Sequence, residues 1–264
     1  MPSIEHLFDT GSMATEVPDL AALRSVVERT RPLSLAGQRS MPLAAATEHL
    51  LPAGALVRGT GVAVSGGSGA TTLALSLVAG PCNSGSWVAV VGFEELGWEA
   101  AEEVGVPLER LVAVRCPPKQ WIRVVAALVD SFDIVMCGPR FVPTQAEMRK
   151  LLARCRERGS VLIGVSSHGV ATSGVQLRGG RGRVWPSCDV ALEVRRSRWH
   201  GLGQGSGRLT RRRLEVLVGG RGELSRPRVE EVHFDGFGAP EVVAGDPART
   251  GTGTGAGTAF GESA

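Results

Sequence analysis

A glycine-rich stretch near the first third of the chain has the residue types of a phosphate-binding loop. It lies between a short apolar run at 62–64 and an apolar helical pattern at 71–78. The backbone N–H groups of such a turn, backed by a helix N-terminus, can cradle an anion. The candidate loop residues are Gly66, Gly67, Ser68, Gly69, Ala70, Thr71 and Thr72.

The stretch departs from the working pattern G-x-x-x-x-G-K-[ST]. If Gly69 is the last loop glycine, Ala70 stands where the lysine belongs, and Val64 stands where the first glycine belongs. A loop two residues shorter is the other interpretation. Without the lysine, no positive charge holds the outer phosphates or stabilises a transferring phosphoryl group. The Thr71 hydroxyl is left as a candidate Mg²⁺ ligand.

The acidic partner of a phosphate loop is also missing. A Mg²⁺-organising aspartate would follow a neighbouring apolar strand, but the run at 134–137 is followed by Gly138. Glu94, just beyond the run at 87–91, is a residual catalytic candidate that could orient water; an ordinary surface glutamate is the alternative. The sequence therefore predicts a protein that is not an enzyme and uses no ATP or Mg²⁺, with residual nucleotide binding left open. The scattered histidines and five cysteines, which form no CxxC, predict no metal site.

A basic segment is the second candidate site. Residues 178–228 hold 13 arginines against four acidic residues, a balance of +9, whereas the following 36 residues hold one arginine and six acids, −5. Arginines bind phosphates or an acidic partner, and an exposed tryptophan stacks a base or anchors a protein interface. The alternative is a solvated arginine-rich surface with the tryptophan buried. The candidate DNA- or partner-binding residues are Arg195, Arg196, Arg198, Trp199, Arg208, Arg211, Arg212 and Arg213.

Apolar runs that alternate with helical patterns predict an α/β fold with a mostly parallel sheet. The predicted strands are 62–64, 87–91, 111–114, 134–137 and 161–165, and the predicted helices are 71–78, 98–103, 122–128 and 145–158. Residues 190–195 and 213–218 alternate apolar and polar side chains, which predicts an antiparallel C-terminal extension around a glycine-rich turn at 199–207. We expect three parts: a helical leader and linker at 1–50, the α/β domain at 51–238, and a disordered tail at 239–264.

Composition excludes several classes of protein. Hydrophobic residues make up 43% and charged residues 21% of the 264, as in a globular protein with a sizeable core. No apolar run approaches the roughly 18–20 residues that cross a bilayer, and the N-terminus has no basic segment before an apolar core. We therefore expect a cytoplasmic protein without a membrane partner.

The order of these parts resembles RecA. The strand, loop and helix at 61–73 are similar to the RecA phosphate loop, and 87–94 is similar to the strand that carries the catalytic glutamate, which gives Glu94 that role. The run at 132–139 occupies the Walker B strand, with Gly138 at the aspartate position, and Ser166 and Ser167 replace the phosphate-sensing glutamine. The resemblance implies a RecA-like P-loop fold over roughly residues 50–222.

A narrower resemblance is to the actinobacterial RecA-like proteins of the ImuA type. It is carried by 69–75 (GATTLAL), 85–92 (GSWVAVVG), 108–112 (LERLV) and 199–209, where Trp199-x-Gly-Leu-Gly-x-Gly-x-Gly-Arg-Leu stands. It implies a degenerate RecA fold without a competent ATPase, acting in damage-induced mutagenesis with an ImuB-like protein and an alternative DnaE-type polymerase.

The sequence thus predicts a non-catalytic adaptor in DNA-damage tolerance that binds a translesion-synthesis partner, with DNA as a further candidate partner. Two alternatives stay open. One is a regulator that binds RecA and acts on recombination or the SOS response. The other is a weakly active RecA-type ATPase or recombinase, against which Ala70 argues.

Overall fold

The computed structural model describes residues 40–93, 96–138, 140, 142–166, 171–172, 175–176, 185–186, 188–203, 206–236 and 238–242. The described residues do not include positions 1–39 of the predicted helical leader, Glu94, Ser167, or positions 243–264 of the predicted tail. The backbone of Arg208 is described but its side chain is not.

The described chain alternates strands and helices before it ends in antiparallel strands. The helices are α1 (Ala70–Asn83), α2 (Trp98–Glu103), α3 (Trp121–Ser131) and α4 (Gln145–Arg158). The strands are β1 (Ser40–Pro42), β2 (Ala55–Val57), β3 (Gly61–Gly66), β4 (Val88–Val91), β5 (Leu111–Val114), β6 (Ile134–Cys137), β7 (Val161–Ser166), β8 (Ala171–Thr172), β9 (Val175–Gln176), β10 (Val190–Gly203), β11 (Ser206–Gly220), β12 (Arg228–Asp235) and β13 (Pro240–Glu241).

Nine of these strands form one sheet in the order β13-β12-β11-β10-β3-β7-β6-β4-β5. The pairs from β10 to β5 are parallel, and β10, β11, β12 and β13 pair antiparallel. The predicted α/β class, with a mostly parallel sheet and an antiparallel C-terminal extension, is confirmed. The inner parallel strands β3, β4, β6 and β7 are short, fully buried runs, as expected where helices cover both faces of a sheet, whereas the edge strand β5 is partly exposed.

Helices cover the two faces of the parallel sheet in pairs. Leu73 and Leu77 of α1 and Ala101 of α2 share one core with the inward side chains of β10, β11 and β12. The other core holds the apolar faces of α3 and α4, with Trp185. A capping box between Thr144 and Glu147 begins α4.

The packed domain differs from the predicted boundaries at both ends. Met41, Leu43 and Leu50 are buried in the α1-side core, so the boundary predicted at residue 50 lies too late in the chain. Pro240–Glu241 pairs with β12 as β13, so the boundary predicted at residue 238 lies too early. These apolar residues are spaced with neither helical nor strand periodicity, so the sequence did not indicate that they belong to the core.

The predicted glycine-rich turn at 199–207 is largely strand. The β10–β11 hairpin runs to Gly203 and resumes at Ser206, with irregularities in register between Val194 and Arg196 and between His200 and Leu202. Gly201, at φ +110°, lies at the second irregularity. Because β10 leaves its parallel partner β3 at Gly66, the distal half of the hairpin continues past the carboxyl edge of the parallel sheet.

No helix in the described ranges is long and apolar enough to cross a membrane.

Candidate functional site

The predicted loop connects β3 to α1 through three residues. β3 ends at Gly66 and α1 begins at Ala70, which favours the shorter of the two sequence interpretations. Gly69 caps the helix in a left-handed conformation, with φ +113°, and no side chain caps its N-terminus. The loop stands at the carboxyl edge of the parallel strands, where ligands of open α/β sheets bind.

Close packing of the hairpin explains two of the loop glycines. A Cβ on Gly66, where φ is +124°, would lie 2.5 Å from the Val194 carbonyl oxygen. A Cβ on Gly69 would lie 2.8 Å from Cδ2 of Leu214 and 3.1 Å from Nη2 of Arg212. Gly67 has open space around it. Glycine at 66 and 69 therefore has a structural reason that needs no bound phosphate.

Arg212 is seated on the loop. Its Nη2 donates to Oγ of Ser68 at 2.8 Å, its Nη1 to Oγ1 of Thr72 at 3.2 Å, and its Nε to Oγ of Ser197 at 3.0 Å. The residue is only 8% exposed, and within the described part of the chain its guanidinium forms no ion pair. Burial lowers the pKa of Arg212 below its usual value, because desolvation penalises the charged form.

Trp199 lies across the ladder from Arg212 on the same side of the hairpin. The two residues are register partners, and Cζ of Arg212 is 4.9 Å from the centre of the indole ring. The side chain of Trp199 is nevertheless 44% exposed. A guanidinium over a tryptophan face is a favourable cation–π arrangement. The alternative that the tryptophan is buried beneath the hairpin is wrong.

The neighbouring arginines face away from the loop and are largely paired with carboxylates. Arg211 pairs with Glu241 at 3.6 Å, Arg213 pairs with Glu231, and Arg196 is 4.0 Å from Glu215. Arg195 and Arg198 are exposed and have no ion pair among the described residues.

Acidic residues of the last two strands pair with three arginines of the basic segment, which are Arg211, Arg213 and Arg228. β12 lies beside β11, and Glu231 faces Glu215 in the register. The chain after residue 228, which is acidic in sequence, thus returns alongside the segment that is basic in sequence. Among the described residues, part of the positive charge of this segment is therefore paired with carboxylates.

Neither of the two positions that carry charge in an active nucleotide site, the loop lysine and the aspartate after a neighbouring strand, holds a charged residue in this chain. Ala70 is 4% exposed, at the first turn of α1. A Cβ on Gly138 would lie 2.3 Å from the carbonyl oxygen of Gly92 and 2.9 Å from the Phe93 nitrogen. The ends of β4 and β6 therefore approach each other too closely for a side chain at 138.

No group of three His, Cys, Asp or Glu side chains in the described ranges is arranged to hold a metal ion. All five cysteines are free thiols. Burial raises the pKa of the Cys82 and Cys188 thiols to about 12 and that of Cys155 to about 11. Thiolates at these three positions are accordingly scarce at neutral pH.

Sequence reasoning placed Arg212 with the exposed arginines and did not find its contact with the loop. The sequence of β11 does indicate this position. Arg212 lies two residues before Leu214 and four before Val216, which are fully buried, so the three side chains share one face of the strand. An arginine in phase with core residues must point inward. Ser197, whose hydroxyl accepts a hydrogen bond from Nε of Arg212, could not be identified as its partner from the sequence.

A protein-family model matches the parallel half of the fold, and one relative matches about a third of the chain. The model of the MT3502 N-terminal domain matches residues 49–169. The Mycobacterium tuberculosis protein named "Uncharacterized protein Rv3395c" is 39% identical over 98 residues, which is 36% of this chain and 48% of that protein. The chain thus spans about half the length of this curated relative. The match to the domain model runs from just before β2 to just after β7, and includes the loop but not the β10–β11 hairpin.

Proposed function

We propose that the protein is a non-catalytic, RecA-like adaptor of the ImuA type in DNA-damage tolerance. Its partner is an ImuB-like protein of a complex with an alternative DnaE-type polymerase. The observation that carries the proposal is Arg212, which engages the hydroxyls of Ser68 and Thr72 on the loop. In this arrangement the loop is an internal packing element and needs no nucleotide.

The residues at the expected charged positions support the same function. Ala70 supplies no positive charge, and Gly138 leaves no room for an aspartate unless the backbone at Gly92 and Phe93 moves. A phosphate loop without either charge has little with which to stabilise a phosphoryl-transfer transition state. The match to the MT3502 N-terminal domain is compatible with the proposal and names no activity.

A protein partner fits the hairpin better than nucleic acid. Binding to a phosphate backbone depends on several unpaired cations, since each neutralised phosphate releases counterions. On this hairpin Arg196, Arg211 and Arg213 face carboxylates, and Arg212 is buried. We therefore expect DNA binding to be secondary to protein binding.

The proposal predicts partner binding that does not depend on nucleotide. The purified protein is expected to bind the ImuB-like protein with the same dissociation constant, within about twofold, with and without ATP and Mg²⁺. Isothermal titration calorimetry measures this constant, and a coupled phosphate-release assay is expected to show no hydrolysis above background.

The matched control for hydrolysis is Thr71→Ala, which removes the hydroxyl closest to the Mg²⁺-ligand position of an active loop. If the wild type hydrolyses ATP and Thr71→Ala abolishes it, the weakly active ATPase is the correct function. If the protein binds RecA and not the ImuB-like protein, it is instead the regulator of recombination or the SOS response.

A further inference from the structure

We infer that Trp199 is the anchor residue for a protein partner. Arg212, which is hydrogen-bonded to the loop between β3 and α1, is the positioning residue that holds the indole of Trp199 in the orientation needed for binding. This inference rests on the proposed function and names the surface and the chemistry of the partner. The partner it requires is a protein with an apolar pocket deep enough to take an indole ring.

The indole of Trp199 is exposed to solvent and is nevertheless held in place by a neighbouring side chain. Trp199 is 44% exposed, although its ring lies 4.9 Å from the guanidinium carbon of its cross-strand partner. A side chain held in place before binding loses less conformational freedom when the complex forms. Tryptophan is also among the residues that contribute most at the centres of protein interfaces.

The restraint on the indole originates in the loop. Arg212 donates to hydroxyls from the loop, from α1 and from β10, which are Ser68, Thr72 and Ser197. Three donors in different directions fix the plane of the guanidinium, because its nitrogens are coplanar. The glycine at 69 leaves the room that Nη2 occupies, since a Cβ there would approach it to 3.1 Å. The loop thus acts as a socket for an arginine.

The charges around the indole favour a protein over a nucleic-acid base. A stacked base brings a phosphate backbone that needs exposed cations near the ring. Of the hairpin arginines with described side chains, Arg212 is buried and three others face carboxylates. Arg195 and Arg198 are the two left without an ion pair in the described chain, which is few for a nucleic-acid site.

The chain offers a matched control. Trp98, at the start of α2, is 42% exposed, close to the exposure of Trp199, and lies on a different element. We expect Trp199→Ala to weaken binding of the purified ImuB-like protein by about 30-fold or more, the loss typical of an interface hot spot. Trp98→Ala is expected to leave the dissociation constant within about twofold of the wild-type value.

Arg212 is tested by a readout that a merely structural role would not move. With 5-fluorotryptophan incorporated, the ¹⁹F resonance of residue 199 is assigned by its loss in Trp199→Ala. Arg212→Met is expected to shift and sharpen this resonance, leave that of Trp98 unchanged, and weaken partner binding by about fivefold to tenfold. If Arg212→Met does not fold, the double variant Ser68→Ala, Thr72→Val keeps the guanidinium, removes two acceptors, and is expected to shift the same resonance.

The outcomes separate the inference from the proposed function. If the wild type binds the ImuB-like protein and Trp199→Ala binds equally well, the anchor is wrong and the adaptor function stands. If Trp199→Ala loses binding to single-stranded oligothymidylate but not to the protein, base stacking replaces the inference. An unchanged residue-199 resonance in Arg212→Met, or in the double variant, overturns the positioning role. If the wild type binds no ImuB-like protein, the proposed function fails and the inference fails with it.

Discussion

Gly138→Asp, the substitution that would place a carboxylate at the end of β6, is expected to destabilise the protein by at least about 3 kcal/mol and to produce no ATPase activity. The new Cβ would lie 2.3 Å from the carbonyl oxygen and 2.6 Å from the carbonyl carbon of Gly92. These are backbone atoms that cannot rotate away as a side chain would. The usual cost of overpacking is roughly 1–3 kcal/mol, and a carboxylate placed without partners in a closed site adds to it.

Thermal unfolding measures this effect. For a domain of this size, 3 kcal/mol corresponds to a decrease in Tm of roughly 6–12 °C. Gly97→Asp is the matched control, because it introduces the same side chain at the N-cap of α2, where the nearest atom to a Cβ is 3.4 Å away. An aspartate there is expected to be neutral or to stabilise by a few tenths of a kcal/mol. A Gly138→Asp protein as stable as the wild type would show that β4 and β6 separate readily, and would strengthen the ATPase alternative.

Gly66→Ala is expected to cost about 2–5 kcal/mol, the second large effect. Part of this cost is the backbone conformation, since φ is +124° and a positive φ strains a residue with a side chain by about 1–2 kcal/mol. The rest is the contact of the new Cβ with Val194, 2.5 Å from its oxygen and 2.9 Å from its Cβ. The loop and the hairpin would both have to shift.

Gly67→Ala is the control within the same loop. Its φ lies outside the positive range and no atom lies within 4 Å of a Cβ there, so we expect a change of no more than about 0.5 kcal/mol. Urea unfolding of the two variants gives both free energies. If Gly67→Ala is the costly change and Gly66→Ala is tolerated, hairpin packing is not what fixes the loop, and the socket for Arg212 loses its basis.

These variants also address what holds the glycine-rich loop between β3 and α1 in place. In the present fold Gly66 and Gly69 allow the hairpin to approach the loop, and Ser68 and Thr72 accept hydrogen bonds from Arg212. Each of these residue types is also what an anion-binding turn requires. The same short sequence is thus compatible with a phosphate cradle and with an internal socket.

The sequence by itself determined the elements and the fold class. Strands at 111–114 and 134–137 and helices at 98–103 and 145–158 have the predicted bounds. Unbroken apolar runs indicated the buried parallel strands, and alternation indicated the antiparallel extension. Such patterns are local, because side chains repeat every 2 residues in a strand and every 3.6 in a helix. The absence of a lysine at 70 and an aspartate at 138 is likewise a property of the sequence alone.

Only the tertiary structure decided which side chains the arginines of the basic segment contact. The contact of Arg212 with Ser68 joins residues 144 positions apart, and it depends on the register of β10 and β11 beyond the irregularity at Val194. The pairing of Arg213 with Glu231 and of Arg211 with Glu241 depends on β12 and β13 returning beside the hairpin. The local alternation indicates that Arg212 points inward, but it does not indicate which distant residues these arginines meet, because that depends on the register in which the strands pair. The net charge of the segment therefore follows from the sequence alone. Which of its arginines contact the loop, which form ion pairs and which stay exposed depends on how distant strands pair.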